Sequence, residues 1–162
     1  MKRLLSNRLV AGLAALGLIV CCFGAEASDL RVAIHGVRSS SGSLMIGLYD
    51  SEEHFKSAIT HAGSMGLVTN PSRLVGIAMR AIAGTQTVVF TELKPGAYAV
   101  ITFHDENDNG KLDENALGLP TEGYGFSNNA EGFFAAPSFK AAAVTLGSHD
   151  KAIGITLKYP PK

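Results

Sequence analysis

The sequence predicts an all-β fold: a seven-stranded Greek-key β-sandwich of the immunoglobulin kind, with one short helix and one long loop. Three observations predict it. Seven short runs alternate apolar with polar residues or are rich in β-branched residues, turn residues separate them, and only one stretch has helical spacing. Many short strands punctuated by glycine and proline pack as two sheets over a common core.

Leu30–Val37 alternates through Leu30, Val32 and Ile34 and reads as the first strand. Ser43–Asp50 puts Leu44, Ile46 and Leu48 on one face and reads as the second. With Arg38-Ser39-Ser40-Ser41-Gly42 between them, the pair looks like a hairpin. Ser51 is a helix N-cap residue, and Phe55, Ala58 and Ile59 follow at helical spacing. After the loop signal Thr69-Asn70-Pro71-Ser72, the face Val75, Ile77, Met79 favours a strand within Arg73–Ile82. Thr87–Leu93 is a β-branched strand. At Lys94-Pro95-Gly96 the proline presets φ at the second turn position and the glycine accepts positive φ at the third. Ala97–Asp105 is the clearest strand. Lys140–Gly147 and Lys151–Tyr159 form two more around a Ser148-His149-Asp150 turn.

The N-terminus reads as an export leader. Lys2, Arg3 and Arg8 precede the uncharged run Leu9–Phe23, and Ala25-Glu26-Ala27 offers small residues where a signal peptidase reads. Cleavage after Ala27 leaves residues 28–162 as one sandwich domain. The apolar run of about fifteen residues is short of the roughly twenty that span a bilayer. A lipoprotein cut before Cys21 is disfavoured by Val20, since small residues are wanted there. Cys21 and Cys22 both lie in the leader, so the exported chain uses no disulfide and no thiolate metal site. It carries 11 basic and 13 acidic residues once Lys2, Arg3, Arg8 and Glu26 are removed. That balance, with no basic patch, argues against nucleic acid and anionic membrane surfaces as partners. The expected location is periplasmic or secreted.

His104–Ser138 carries no convincing strand, and a connection this long far exceeds the usual length of about four to six residues. Its aromatics, among them Tyr124, Phe126, Phe133 and Phe134, with Phe139 directly after it, argue for a folded loop and against a linker. Its start has the spacing of a calcium loop: Asp105, Asn107 and Asn109 alternate, Gly110 turns the chain, Lys111 offers its carbonyl, and Asp113 binds directly or through water. Leu112 plugs the loop into the core. The twelfth position is Ala116, where an EF-hand has a bidentate Glu, so affinity is expected in the extracellular range of about 10⁻⁴ to 10⁻³ M. Glu114 and Glu122 are the candidates to complete the shell. The competing reading is a polar turn, for which Asn109-Gly110 is a type I′ signal. His104 is either a chemical group or a hydrogen-bonded boundary residue.

The runs Leu93–Val100, His104–Ala130 and Pro137-Ser138-Phe139 carry a resemblance. With His104-Asp105, Asn107, Asn109-Gly110, Leu112-Asp113, Gly118, Pro120 and Glu122–Asn128, the chain resembles a bacterial family of small exported proteins known as domain of unknown function twenty-one forty-one. The resemblance spans about Leu30 to Tyr159. It implies one exported domain and no catalytic residue. Phe90–Tyr98 is also similar to transthyretin-like and collagen-binding B-type sandwich modules, a likeness of fold that does not fix function.

The leading reading of function is a non-enzymatic exported module whose loop 104–138, braced by calcium, presents a surface to a protein or small ligand. One alternative is a hydrolase assembled from His104, Asp105, Asp113, Glu122 and Ser127. Against it, the sequence has no nucleophile elbow, paired-His zinc motif or phosphate loop. A second alternative is a structural envelope component acting through edge-strand pairing.

Overall fold

The computed structural model of the protein describes residues 26–132 and 135–161. The expected leader, save its last two residues, both cysteines and the Phe133-Phe134 pair lie outside the described residues. Among the described residues, eight strands form two sheets: β1 (Ser28–Val37), β2 (Ser43–Tyr49), β3 (Val75–Arg80), β4 (Gly84–Leu93), β5 (Gly96–Asp105), β6 (Gly123–Phe126), β7 (Val144–Leu146) and β8 (Lys151–Thr156). The first sheet has the order β4-β1-β8, with β8 parallel to β1. The second runs β3-β2-β5-β6, with β7 also paired to β5. The all-β sandwich stands as the sequence predicts it, with one more strand.

The alternation explains the layers. Leu30, Val32 and Ile34 of β1 meet Leu44, Ile46 and Leu48 of β2 in one fully buried cluster between the sheets. Each such side chain contributes about 1.5–3 kcal/mol of transfer free energy. On the other face of the second sheet, Ala99, Ile101 and Phe103 of β5 pack under helix α1 (Glu52–Met65) in a second cluster with Tyr49, Phe55 and Ala58. Strand β5 is therefore covered on both sides, which is why its sequence is apolar at nearly every position. Ser51 caps α1 as expected, its hydroxyl accepting from His54 N at 3.3 Å.

Five details differ from the sequence reading. First, β1 and β2 are not a hairpin; they lie in different sheets and face each other across the core. Second, β7 and β8 are likewise split, β7 on β5 and β8 on β1. In both cases alternation fixes the face a strand buries but not its neighbour. Third, the expected strand Lys140–Gly147 begins as a helical turn, α2 (Phe139–Ala142), capped by Ser138, because alanines carry high helix propensity once a cap starts them. Fourth, Gly96 does not have positive φ. That corner is instead tied by the Tyr98 hydroxyl donating to Lys94 O at 2.8 Å, a tyrosine corner.

Fifth, the long connection contains a strand. β6 pairs antiparallel with β5, Ile101 opposite Phe126 and His104 opposite Gly123. Its glycines concealed it, because glycine normally weakens strands. Here they admit neighbours. A Cβ at Gly125 would lie 2.7 Å from Ile155 Cγ2, and one at Gly123 would enter the Tyr159 ring. Gly123→Ala is expected to lower unfolding free energy by about 1–3 kcal/mol through overpacking. Gly147→Ala, with nothing within 4 Å of its Cβ position, is expected to stay within about 0.5 kcal/mol. Urea titration checks both; equal midpoints for the two variants would contradict this packing.

Candidate functional site

The site lies where β5 ends. Asp105 is its last residue, fully buried, and its carboxylate accepts from Asn109 N at 3.0 Å and Gly110 N at 2.6 Å. The chain folds back on its own acid, as Asx side chains direct. Asn107 Oδ1 accepts from Asn109 N, and Asn109 Oδ1 accepts from Lys111 N. Both amide Nδ2 groups donate to the Asp113 carboxylate, each at 2.8 Å. Hydrogen bonds thus join Asp105, Asn107, Asn109 and Asp113 within one loop, with Lys111 held in it. Positive φ falls at Asp108 and Gly110, at 57° and 79°. A type I′ turn at Asn109-Gly110 needs positive φ at both residues, and Asn109 lacks it. The type I′ turn is therefore not what forms, whereas Asx side chains do cap the loop's own backbone.

The loop is docked at two places. Leu112 packs against the cluster under α1, and its N–H donates to Ala62 O at 3.1 Å. Gly66, which ends α1 at φ 68°, leaves the space that the Gly110 carbonyl occupies. The second anchor is Glu122. The β5–β6 ladder carries it opposite Asp105, one step past the His104–Gly123 pair. It is 5% exposed and accepts from Glu106 N at 2.8 Å and Asp113 N at 3.1 Å. Burial raises its pKa, the two backbone donors oppose that, and Asp113 and Asp105 raise it further. Glu114 does not join this group; its backbone bridges Pro120, and its carboxyl lies beside Gly63. Ala116 is exposed.

Around these acids sits a tie that the sequence reading missed. His104, fully buried, has Nε2 2.7 Å from Ser41 O and Nδ1 2.8 Å from the Tyr159 hydroxyl. A carbonyl only accepts, so Nε2 carries the proton and Nδ1 accepts from Tyr159. Arg38 stacks 4.3 Å from the Tyr159 ring centre and forms a two-point ion pair with Glu106. The signal for this tie is long-range, joining the first turn, β5 and the C-terminal segment.

The hydrolase grouping does not assemble. Ser127 is fully buried; its hydroxyl accepts from Val100 N at 2.9 Å and donates to Ala142 O at 2.6 Å. His104 is engaged with Ser41 and Tyr159 instead. Among the described residues, no three His, Cys, Asp or Glu side chains are placed to hold a metal ion. A cation in this loop therefore depends on the asparagine oxygens and a backbone carbonyl as well as the acids. Among the described residues no helix is long and apolar enough to cross a membrane.

Glu106 titrates below the ordinary value of 4.5, chiefly because the Arg38 guanidinium donates to it. A carboxyl depressed on folding adds stability that is present above its unfolded value and lost as pH falls through the folded one. Arg38→Met is expected to cost about 1 kcal/mol at pH 7, with the gap narrowing as pH is lowered below the ordinary carboxylate value of 4.5. Unfolding in urea across a pH series checks this; a gap that does not change with pH would show that the pair contributes nothing.

A solved fimbrial assembly protein from Parabacteroides distasonis is 7% identical, with a TM-score of 0.38. The match covers 81% of this chain and 52% of that one, so the chain spans about half its length. The T6SS lipoprotein TssJ1 from Pseudomonas aeruginosa is 14% identical at a TM-score of 0.38, over 84% of this chain and 100% of that one. Likeness this loose carries no functional argument. No curated protein matches the sequence. The family model DUF2141, described as an uncharacterized protein conserved in bacteria, matches residues 32–154. The chain belongs to that family.

Proposed function

We propose that the chain is an exported, non-enzymatic binding module whose loop Asp105–Asp113 takes calcium and, so braced, presents its surroundings to a ligand or partner. The observation that carries this is the convergence of Asp105, Asn107, Asn109 and Asp113 on one small volume, backed by Glu122. The acids there are held by neutral donors, so a divalent cation offers a charge balance that the amides do not. Calcium accepts six to eight oxygens in flexible geometry. The two asparagine amides would turn over, replacing Nδ2 with Oδ1 toward the centre, while Lys111 adds its carbonyl. Glu122, whose two oxygens accept from Glu106 N and Asp113 N, braces the loop from behind. The non-enzymatic part is supported by Ser127 and His104, whose polar atoms are committed to structural bonds.

Calcium at about ten times a Kd in the range of 10⁻⁴–10⁻³ M adds about 1.4 kcal/mol. That raises the melting temperature by roughly 3–5 °C. Asp113→Ala, at a half-buried position, is expected to keep the fold and lose the shift. Thermal scans with calcium and with magnesium test this. A wild-type melting temperature that calcium leaves unmoved would refute calcium binding.

A further inference from the structure

A cavity of about 570 Å³ opens on the helix-covered face of the second sheet, directly behind the loop. Phe103, Tyr124 and Phe126 form its floor, and Ile59, Leu112 and Leu119 line its walls. Its size and apolar lining are those of a small-ligand site, which typically measures about 300–1,000 Å³. Leu117 and Leu119, 83% and 57% exposed, stand at this end of the molecule. They are held there by Asn115, whose Oδ1 accepts from both of their N–H groups, at 2.9 and 3.1 Å.

The charges around the cavity are unequal. Lys158 is bonded to Glu131, so that pair is close to neutral toward a ligand. Glu114 has no ionic partner among the described residues, and its carboxyl carbon would lie 3.2 Å from a Cβ placed on Gly63. Behind the Leu112 wall stand Asp105, Asp113 and Glu122. Among the described residues the charged groups lining the cavity are Glu114, Glu131 and Lys158, so with Lys158 paired to Glu131 the lining itself carries one acid in excess, which disfavours an anion.

We propose that this cavity binds a small amphipathic amine, with an apolar chain or ring on Phe103, Tyr124 and Phe126 and its single positive charge at Glu114. The inference rests on the reading of the chain as a ligand-presenting module and is independent of calcium. The neutral fluorophore N-phenyl-1-naphthylamine reports occupancy, and octylammonium and octanoate, equal in chain length, compete for it. Octylammonium is expected to displace the probe at about tenfold lower concentration than octanoate. Glu114→Gln brings the two within about twofold. Ile59→Trp fills the cavity and abolishes the probe signal while the melting temperature stays near wild type. No probe signal in wild type, equal displacement by the two competitors, or undiminished binding to a folded Ile59→Trp would each overturn the proposal. Each assay is run with excess calcium and with chelator. Failure of calcium binding leaves the amine preference intact in both, whereas failure of the cavity removes the signal from both.

Discussion

The burial of two carboxylates at the end of β5 is the constraint on which the rest of this end of the molecule depends. Asp105 and Glu122 are nearly removed from solvent, and four backbone N–H groups, from Glu106, Asn109, Gly110 and Asp113, hold them. A buried ionised carboxylate without such donors is strongly disfavoured. The loop therefore adopts the one path that brings its amides to the acids. That path turns Asn107 and Asn109 inward toward Asp113 and carries Leu112 onto α1. Bracing and any cation chemistry share the same cause.

The sandwich places those acids. Strand β5 has β2 along one edge and β6 and β7 along the other, with packed side chains above and below. Its position is thus fixed on four sides before the loop begins. The β6 register then delivers Glu122, and the close approach of Tyr159 and Ile155 to the β6 glycines delivers the C-terminal segment. Through Tyr159 that segment reaches His104 and Arg38, so three distant parts of the chain meet beside Asp105. The cavity is the other product of this arrangement: a loop standing off the sheet edge leaves space beneath it, walled by α1.

Much of this was legible in the sequence, and what was not has a physical reason. Alternation identified which residues of β1, β2 and β5 turn inward, because a two-residue period is local. It could not choose partners, so β1–β2 and β7–β8 looked like hairpins although each pair straddles the core. The spacing of Asp105, Asn107, Asn109, Gly110 and Asp113 announced a loop closed on itself, and Leu112 its plug. Glu122 stood only as a candidate because its placement comes from strand pairing, and Gly123 and Gly125 disguise that strand. Arg38 and Tyr159 left no local signal at all; their meeting is a consequence of the finished fold.

What distinguishes this account from a polar turn on a stable sandwich is that the two buried acids organise the loop as a unit. Native-state hydrogen exchange at the amides of Glu106, Asn109, Gly110 and Asp113, without calcium, measures that directly. The account predicts slow exchange with a common opening free energy, well above that of exposed turns. Exchange of these four amides at the rate of unprotected coil, or at four unrelated rates, would contradict it.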